Sequence, residues 1–353
     1  MNESVVATNS FKKFKTTKPQ VFRVSQERLI KTGYLEGEGS FPLVIEPEVE
    51  NLNVLEWVAS QREMVERELL KHGAILFRNF KIEGVSDFEQ FARTLTPQLM
   101  NYKERAAPRS EVGSNVYTST EFPADQTIPL HHEMAYTHNW PMKLWFNCVL
   151  PAESGGATPI TSDRKIINLI APDIKKKFIE KEVMYVRNYG EGVDMPWQVV
   201  FQTTDRAVVE EYCRNANTEV EWRDGNRLRT RQRRQAVATH PKTGETVWFN
   251  HAHLFHVSNL EPQVREALLS EFKEDELPRN AFYGDGTSIE TEVLDEIRDL
   301  YHREAVIFPW QRGDILMLDN MLASHGREPF VGDRKVIVAM AEPFLDNQCI
   351  SDV

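Results

Sequence analysis

Apolar residues recur along this chain at two different spacings. Between Val54 and Leu70, Leu55, Val58, Val65 and Leu69 fall on one side at helical spacing, and Gly73 stands where that helix can end. AILFRNF (Ala74–Phe80) follows as a buried strand, and Ser86 with Glu89 makes a capping box for DFEQFARTL. After Tyr117 the pattern changes to short strand-like runs joined by long polar connections. These runs are LWFNCVL (Leu144–Leu150), EVMYVRNY (Glu182–Tyr189), WQVVFQT (Trp197–Thr203), VWFN (Val247–Asn250), AVIFPW (Ala305–Trp310), DILMLDN (Asp314–Asn320) and KVIVAM (Lys335–Met340). Helices are predicted between them at Arg164–Glu180, Pro262–Phe272 and Ser288–Leu300.

Separated strands of this kind suit an antiparallel barrel or sandwich with helical insertions, not a regular βαβ series. The chain has no glycine-rich dinucleotide fingerprint and no Walker loop, which removes support for a Rossmann or P-loop reading. Residues 1–20 are polar, with scattered lysines and no period, and predict a flexible N-terminal segment ahead of a single domain over 21–353.

Composition narrows the function classes. The chain has 353 residues, 41% of them hydrophobic, enough for a substantial core. A net charge of -11 argues against broad binding to nucleic acid or acidic membranes. Cys148, Cys213 and Cys349 are an odd count with no close pair, a poor disulfide framework that points to the cytoplasm. Neither an apolar signal-peptide core nor a membrane-length apolar stretch is expected.

The chemistry concentrates in LHHEMAYTHNWP (Leu130–Pro141). In an extended segment His131 and Glu133 point to one side and His132 to the other. A late histidine, His325 in DNMLASHGR, is the best candidate for a third ligand. Two imidazoles and a carboxylate on one face of an octahedral ion leave three positions open, the arrangement of non-haem Fe(II) oxygenases. Pattern alone also allows His131 and His132 to be hydrogen-bonded loop residues. NHAHLFH offers a rival, since His251, His253 and His256 are able to hold Zn(II), or else to line a channel and satisfy backbone groups. His138 is a candidate substrate contact, with solvent-facing polarity as the alternative.

IPLHHEMAYTHNWP, PAESGGATPITSDR, YVRNYG, HPKTGETVWFNHAHLFH, LPRNAFYGDG and FPWQRGDILMLDNMLASHGREPFVGDRK together resemble the taurine dioxygenase / 2,4-D dioxygenase superfamily. The resemblance runs from roughly Ala74 to Phe344 and looks closest to the branch of the syringomycin-pathway hydroxylase. It implies a double-stranded β-helix (jelly-roll, cupin-like) core, mainly β with helical insertions. It also implies Fe(II), 2-oxoglutarate as cosubstrate and dioxygen. His131, Glu133 and His325 match the family's iron ligands. Glu133 stands where much of the superfamily has Asp. Related halogenases carry a small residue there to admit chloride, so an acid at this position argues against halogenation.

The resemblance places the distal carboxylate of 2-oxoglutarate on Arg334 and Thr158. Arginine suits it because the guanidinium is a planar donor fork. Arg327 and Lys335 are the neighbouring cations in the same motif, and strand alternation puts Arg334 and Lys335 on opposite faces. Thr158 also has a plainer reading, as a cap on the turn at Gly155 and Gly156. The run RDGNRLRTRQRRQAV reads as a solvated face, except that Arg229 and Arg231 match the resembled branch and are candidates for a substrate carboxylate. Arg187, Asn188 and Asn250 are pocket candidates by family position, with loop fixing as the alternative. The implied activity is hydroxylation of an amino acid or amino-acid-derived metabolite, free or tethered as a thioester to a carrier protein, in natural-product biosynthesis. Epoxidation of a tethered unsaturated acyl group and a non-catalytic cupin-like metal-binding protein are the alternatives.

Overall fold

The computed structural model describes residues 29–35, 39–101, 109–120, 122–190 and 194–345, so the polar segment 1–20 lies outside the described residues. A sheet of eight strands forms the backbone of the fold. Its order is Ile30–Tyr34, Leu43–Pro47, Ala74–Phe77, Ile315–Asp319, Asn139–Leu150, Lys335–Leu345, Val116–Thr118 and Glu111–Gly113. The pairs are antiparallel, except that Leu43–Pro47 runs parallel to Ala74–Phe77.

Strand alternation sorts the side chains of this sheet into two cores. Trp145, Ile315, Met317, Ile337 and Ala339 face the front helices, meeting Val58, Leu69, Phe88 and Phe91. Leu144, Phe146, Leu316, Leu318, Val336 and Val338 face the other way, toward Ile160 and Ala323 of a smaller sheet. Burial on both faces explains why DILMLDN and KVIVAM read as continuous apolar runs. The smaller sheet has the order Ile128–His131, Ala323–Arg327, Ile160–Ser162, and it completes a two-sheet jelly-roll core. A separate four-stranded sheet, Thr218–Arg223, Arg227–Arg234, Val183–Tyr189 and Arg279–Tyr283, forms a side wall.

Several sequence expectations shift for local reasons. The front helix is two helices, Val54–Ser60 and Arg62–His72, interrupted at Gln61, and it ends as expected at Gly73, φ 79°. The capping box does not form. The helix begins earlier, at Val85 with Gly84 as its cap, and the Glu89 carboxylate bonds Arg93 and the Ser114 amide. Arg164–Glu180 is likewise two helices, Asp163–Leu169 and Pro172–Lys181, because Pro172 starts a new helix more readily than it continues one. Trp197–Thr203 is not a strand. Trp197–Val200 is a short helix that buries Trp197 and Val200 one turn apart and leaves Val199 exposed. Ala305–Trp310 makes only an isolated bridge, Val306 to Ile160, while Phe308 and Trp310 still pack in the core. No helix among the described residues is long and apolar enough to cross a membrane.

The small sheet is tightest at Gly326, between His325 and Arg327. A Cβ there would lie 2.6 Å from the Ile128 carbonyl oxygen. Only a residue without a side chain lets the two strands meet at this point. Gly326→Ala is expected to lower stability by about 1–3 kcal/mol, the usual cost of overpacking. Thermal and denaturant unfolding of the two proteins read it directly, and an unchanged midpoint would remove the close approach as a constraint.

Candidate metal centre and adjoining cleft

Antiparallel register brings the two histidines together. His131 pairs directly with His325 across the small sheet, and directly opposed residues project from the same face. Their ring centroids are 4.5 Å apart. The strand Ile128–His131 stops at His131, so Glu133 does not follow it in extended register as the sequence implied. Glu133 sits at the start of a turn in which Met134 takes φ 61°, and the turn returns the carboxylate to the histidine side. One ligand atom from each of His131, Glu133 and His325 lies within 4.8 Å of the others.

The donors suit a divalent transition metal. His131 Nδ1 is 2.8 Å from the Pro129 carbonyl oxygen, so that nitrogen donates and Nε2 is the free ring atom. Burial lowers the pKa of His131 and drives that of His325 further down, which keeps both imidazoles neutral and able to ligate. Two neutral imidazoles with one carboxylate are the donor set of a facial triad.

A buried frame fixes this segment. His132 turns away from the triad, as alternation predicted, and its Nε2 lies 2.9 Å from Asp163 Oδ2. Tyr301 donates its hydroxyl to the other oxygen of Asp163 at 3.0 Å. The rival histidines are part of this frame. His253 Nε2 meets the Leu130 carbonyl at 2.8 Å and His251 Nε2 meets the His132 carbonyl at 2.5 Å, so they hold the backbone on either side of His131. His256 bonds Ser258. Of the two readings of NHAHLFH, the structure shows the satisfying of backbone groups. Asn320 accepts from the Glu133 amide at 2.8 Å and donates to the carbonyls of Glu133 and Pro141, each at 2.9 Å. The sequence pointed to neither Asn320 nor Asp163. Asn320 closes DILMLDN, a run whose apolar character hid its final amide.

A cleft is shared by the two histidines of the triad and Arg334. His131, His325, Phe146, Thr158, Arg109 and Arg334 are among its walls. Arg334 donates Nε to the Gly156 carbonyl at 2.8 Å, and its Nη2 lies 3.4 Å from Thr158 Oγ1. Gly156 makes room for it, because a Cβ there would stand 2.9 Å from Arg334 Cδ. Burial lowers Arg334 to about 10, which leaves it cationic at neutral pH. Trp310 donates to Thr158 Oγ1 at 3.0 Å, so Thr158 does more than cap a turn. Arg327 donates to three loop carbonyls, of Phe122, Pro123 and Gln126. Lys335 is exposed.

Arg187, Asn188, Arg229 and Arg231 occupy the two faces of the side wall, and Asn250 and His138 lie outside it. Arg187 lies on the strand face of Tyr185, whose hydroxyl accepts from the His251 amide at 2.6 Å. It is 1% exposed and its Nη2 meets Asp194 at 3.2 Å. Arg229 and Arg231 pair with Asn188 and Val186, on the opposite face from Arg187. Arg229 donates to Asn188 Oδ1 at 2.8 Å and meets Asp275 at 3.0 Å, while Arg231 meets Glu221 at 3.2 Å. Asn188 also donates to the carbonyls of Asp275 and Leu277. Asn250 bonds Ala236 and the Ala252 amide, closing its own turn. His138 packs edge-on to Tyr212, and burial lowers it to about 4.

Asn320→Ala strips three buried backbone groups of a partner at once. It is expected to cost at least about 1–3 kcal/mol, the penalty for a single orphaned group, and urea unfolding will show it as a lower midpoint. A wild-type midpoint would mean that the amide does not hold the Glu133 turn.

Known proteins agree with this architecture. The family described as "Taurine catabolism dioxygenase TauD, TfdA family" matches residues 38–340. The dapdiamide synthesis protein DdaC of Enterobacter agglomerans is 42% identical over 279 residues, covering 79% of this chain and 85% of its own. A clavaminate synthase-like protein of Arabidopsis thaliana is 28% identical over 320 residues, covering 86% of this chain and 94% of its own. The crystal structure of PvcB from Pseudomonas aeruginosa shares the fold with a TM-score of 0.54 at 17% identity, over 92% of this chain and 94% of that one. The chain belongs to the TauD/TfdA family of dioxygenases, enzymes dependent on Fe(II), 2-oxoglutarate and dioxygen, as its motifs implied.

Proposed function

We propose that this enzyme hydroxylates an amino acid or amino-acid-derived metabolite in natural-product biosynthesis, at the β carbon, with the substrate presented as a thioester on a carrier protein. The observation that carries the reading is the convergence of His131, Glu133 and His325 beside a cleft that His131 and His325 line together with Arg334 and Thr158. The likeness to a dapdiamide synthesis protein supports a biosynthetic setting. We also assign the enzyme to the cytoplasm and its activity to one domain spanning residues 21–353.

In this reading His131, Glu133 and His325 hold Fe(II). When bound, the ion would supply the redox chemistry, with dioxygen as the oxidant of both 2-oxoglutarate and a substrate C–H bond. The protein contributes placement. His251 and His253 hold the backbone that carries His131, and Asn320 holds the backbone that carries Glu133. Arg334 anchors the distal carboxylate of 2-oxoglutarate by charge-assisted hydrogen bonds. Thr158 completes that contact: its oxygen accepts from Trp310, which leaves its O–H to donate. Arg187, on the face shared with Tyr185, is the substrate contact we favour. Arg229, Arg231, Asn188 and Asn250 support the wall behind it, and His138 lines it as a neutral group.

Succinate release from 2-oxoglutarate, measured in air with Fe(II)-loaded protein and with amino acids offered free and as carrier thioesters, tests this. Thioester-stimulated succinate with a product heavier by one oxygen is the expected result. Stimulation by free acids alone would overturn the tethered presentation, and an epoxide product would overturn hydroxylation. His131→Ala and His325→Ala are expected to abolish turnover in a folded protein, and normal turnover in either would dismiss that ligand. Arg334→Gln is expected to raise the KM for 2-oxoglutarate about 10- to 100-fold, the equivalent of a charged hydrogen bond. Lys335→Gln should leave it near wild type, and the reverse ranking would move the anchor to Lys335.

A further inference from the structure

Glu133 raises a question that its backbone contacts leave open. Asn320 fixes its amide and carbonyl, yet a glutamate carboxylate is separated from the backbone by three rotatable bonds. Something else must decide where the oxygens point. Among the described residues, Arg109 is the side chain that hydrogen-bonds this carboxylate. Its Nη2 lies 2.7 Å from Glu133 Oε2, and the two side chains are 4% and 5% exposed. The same oxygen is 3.9 Å from His325 Nε2. Arg109 also lines the cleft that contains His131 and His325. It reaches the triad from a part of the sequence, RAAPRSE, that carries no motif.

We propose that Arg109 is a positioning residue for the metal, holding the Glu133 carboxylate so that it presents one oxygen to the ion. The proposal rests on the ligand assignment made above and adds a residue to it. A carboxylate has about four acceptor positions, so one can take the guanidinium N–H while another faces a metal. The buried pair is costly to break, because removing either partner strands a charge away from water. That cost locks the glutamate rotors before the metal arrives. Arg109 also places a cation near a cation, which opposes metal binding. Orientation outweighs repulsion here, because outer contacts that orient a ligating side chain typically strengthen metal binding about 10- to 100-fold.

Co(II) is the probe, since its visible absorption band reports coordination number and geometry. Apoprotein is titrated anaerobically with Co(II), for wild type, Arg109→Gln, Arg109→Lys, Arg334→Gln and His131→Ala. Circular dichroism verifies the fold of each. Arg109→Gln is expected to weaken Co(II) binding about 10- to 100-fold and to change the band, as the released carboxylate swings to two-oxygen binding or away. Arg109→Lys returns a charge and a single donor, and is expected to fall between wild type and Arg109→Gln. Arg334→Gln removes a cation that lines the same cleft but bonds Gly156 and Thr158, and is expected to keep the wild-type affinity and band. A role confined to folding would not produce this spectral change.

Wild-type affinity and an unchanged band in folded Arg109→Gln would overturn the proposal. If that variant does not fold, Arg109→Lys decides: weaker binding with a changed band supports the proposal, and wild-type behaviour overturns it. His131→Ala separates the two levels. If it loses Co(II) while Arg109→Gln does not, the ligand set stands and Arg109 has no part in it. If it binds Co(II) like wild type, the ligand set is wrong and the proposal falls with it.

Discussion

The pairing of Ile128–His131 with Ala323–Arg327 is the constraint on which the site depends. Opposed residues in an antiparallel ladder share a face, and a slip of one residue would turn His325 away from His131. The register is therefore a condition for bringing the two histidines together. It is held from three directions. Gly326 permits the close approach, Ile160–Ser162 flanks the second strand, and the larger sheet packs Phe146 and Val336 beneath. Residues far apart in sequence become neighbours through hydrogen bonds between backbones, before any side chain is considered.

The frame around this pairing is polar and buried, an expensive choice. His132, Asp163 and Tyr301 all lie out of water, as do His251, His253 and Asn320. Each is tolerable because it meets a partner, and several of those partners lie on the backbone that carries His131 and Glu133. The carbonyls of Leu130 and His132 bracket His131, and the groups bonded to Asn320 bracket Glu133. A hydrophobic core could fill the same space, but it would not specify the direction of a carbonyl or a ring nitrogen.

Legibility in the sequence followed the same physics. The strands of the main sheet were visible because burial on both faces makes long apolar runs. Their partners were not, because register is not encoded in any one run. Helix breaks at Gln61 and Pro172 and the short helix at Trp197 were lost to a hydrophobicity reading that cannot tell a buried turn from a buried strand. His131 and Glu133 were legible as neighbours, although through the wrong local geometry, since a turn and not an extended strand unites them. His325 was the candidate third ligand by its place after the strand-like DILMLDN, and the motif resemblance pointed to the same residue. Asn320, Asp163 and Arg109 carried no signal, because an isolated polar residue acquires its role only when the fold supplies its partner.

Alternation also decides which way the arginines of the side wall face. The run from Arg223 to Arg234 looked like one basic patch, but its strand divides it. Arg229 and Arg231 turn to the acids Glu221 and Asp275, while Arg234 turns inward to Thr218 and Gln232. The neighbouring strand places Arg187 on the inward side as well, beside Tyr189 and near Tyr136. Acids on the outer side consume the charge that would otherwise draw an anion there. The inward side pairs Arg187 with Asp194 through one of its nitrogens, and Nε and Nη1 have no hydrogen-bond partner among the described residues. Unmet donors of a buried guanidinium are costly, which is what supports Arg187 over Arg229 and Arg231 as the proposed substrate contact. The contrast between these arginines therefore follows from which face of each strand they occupy.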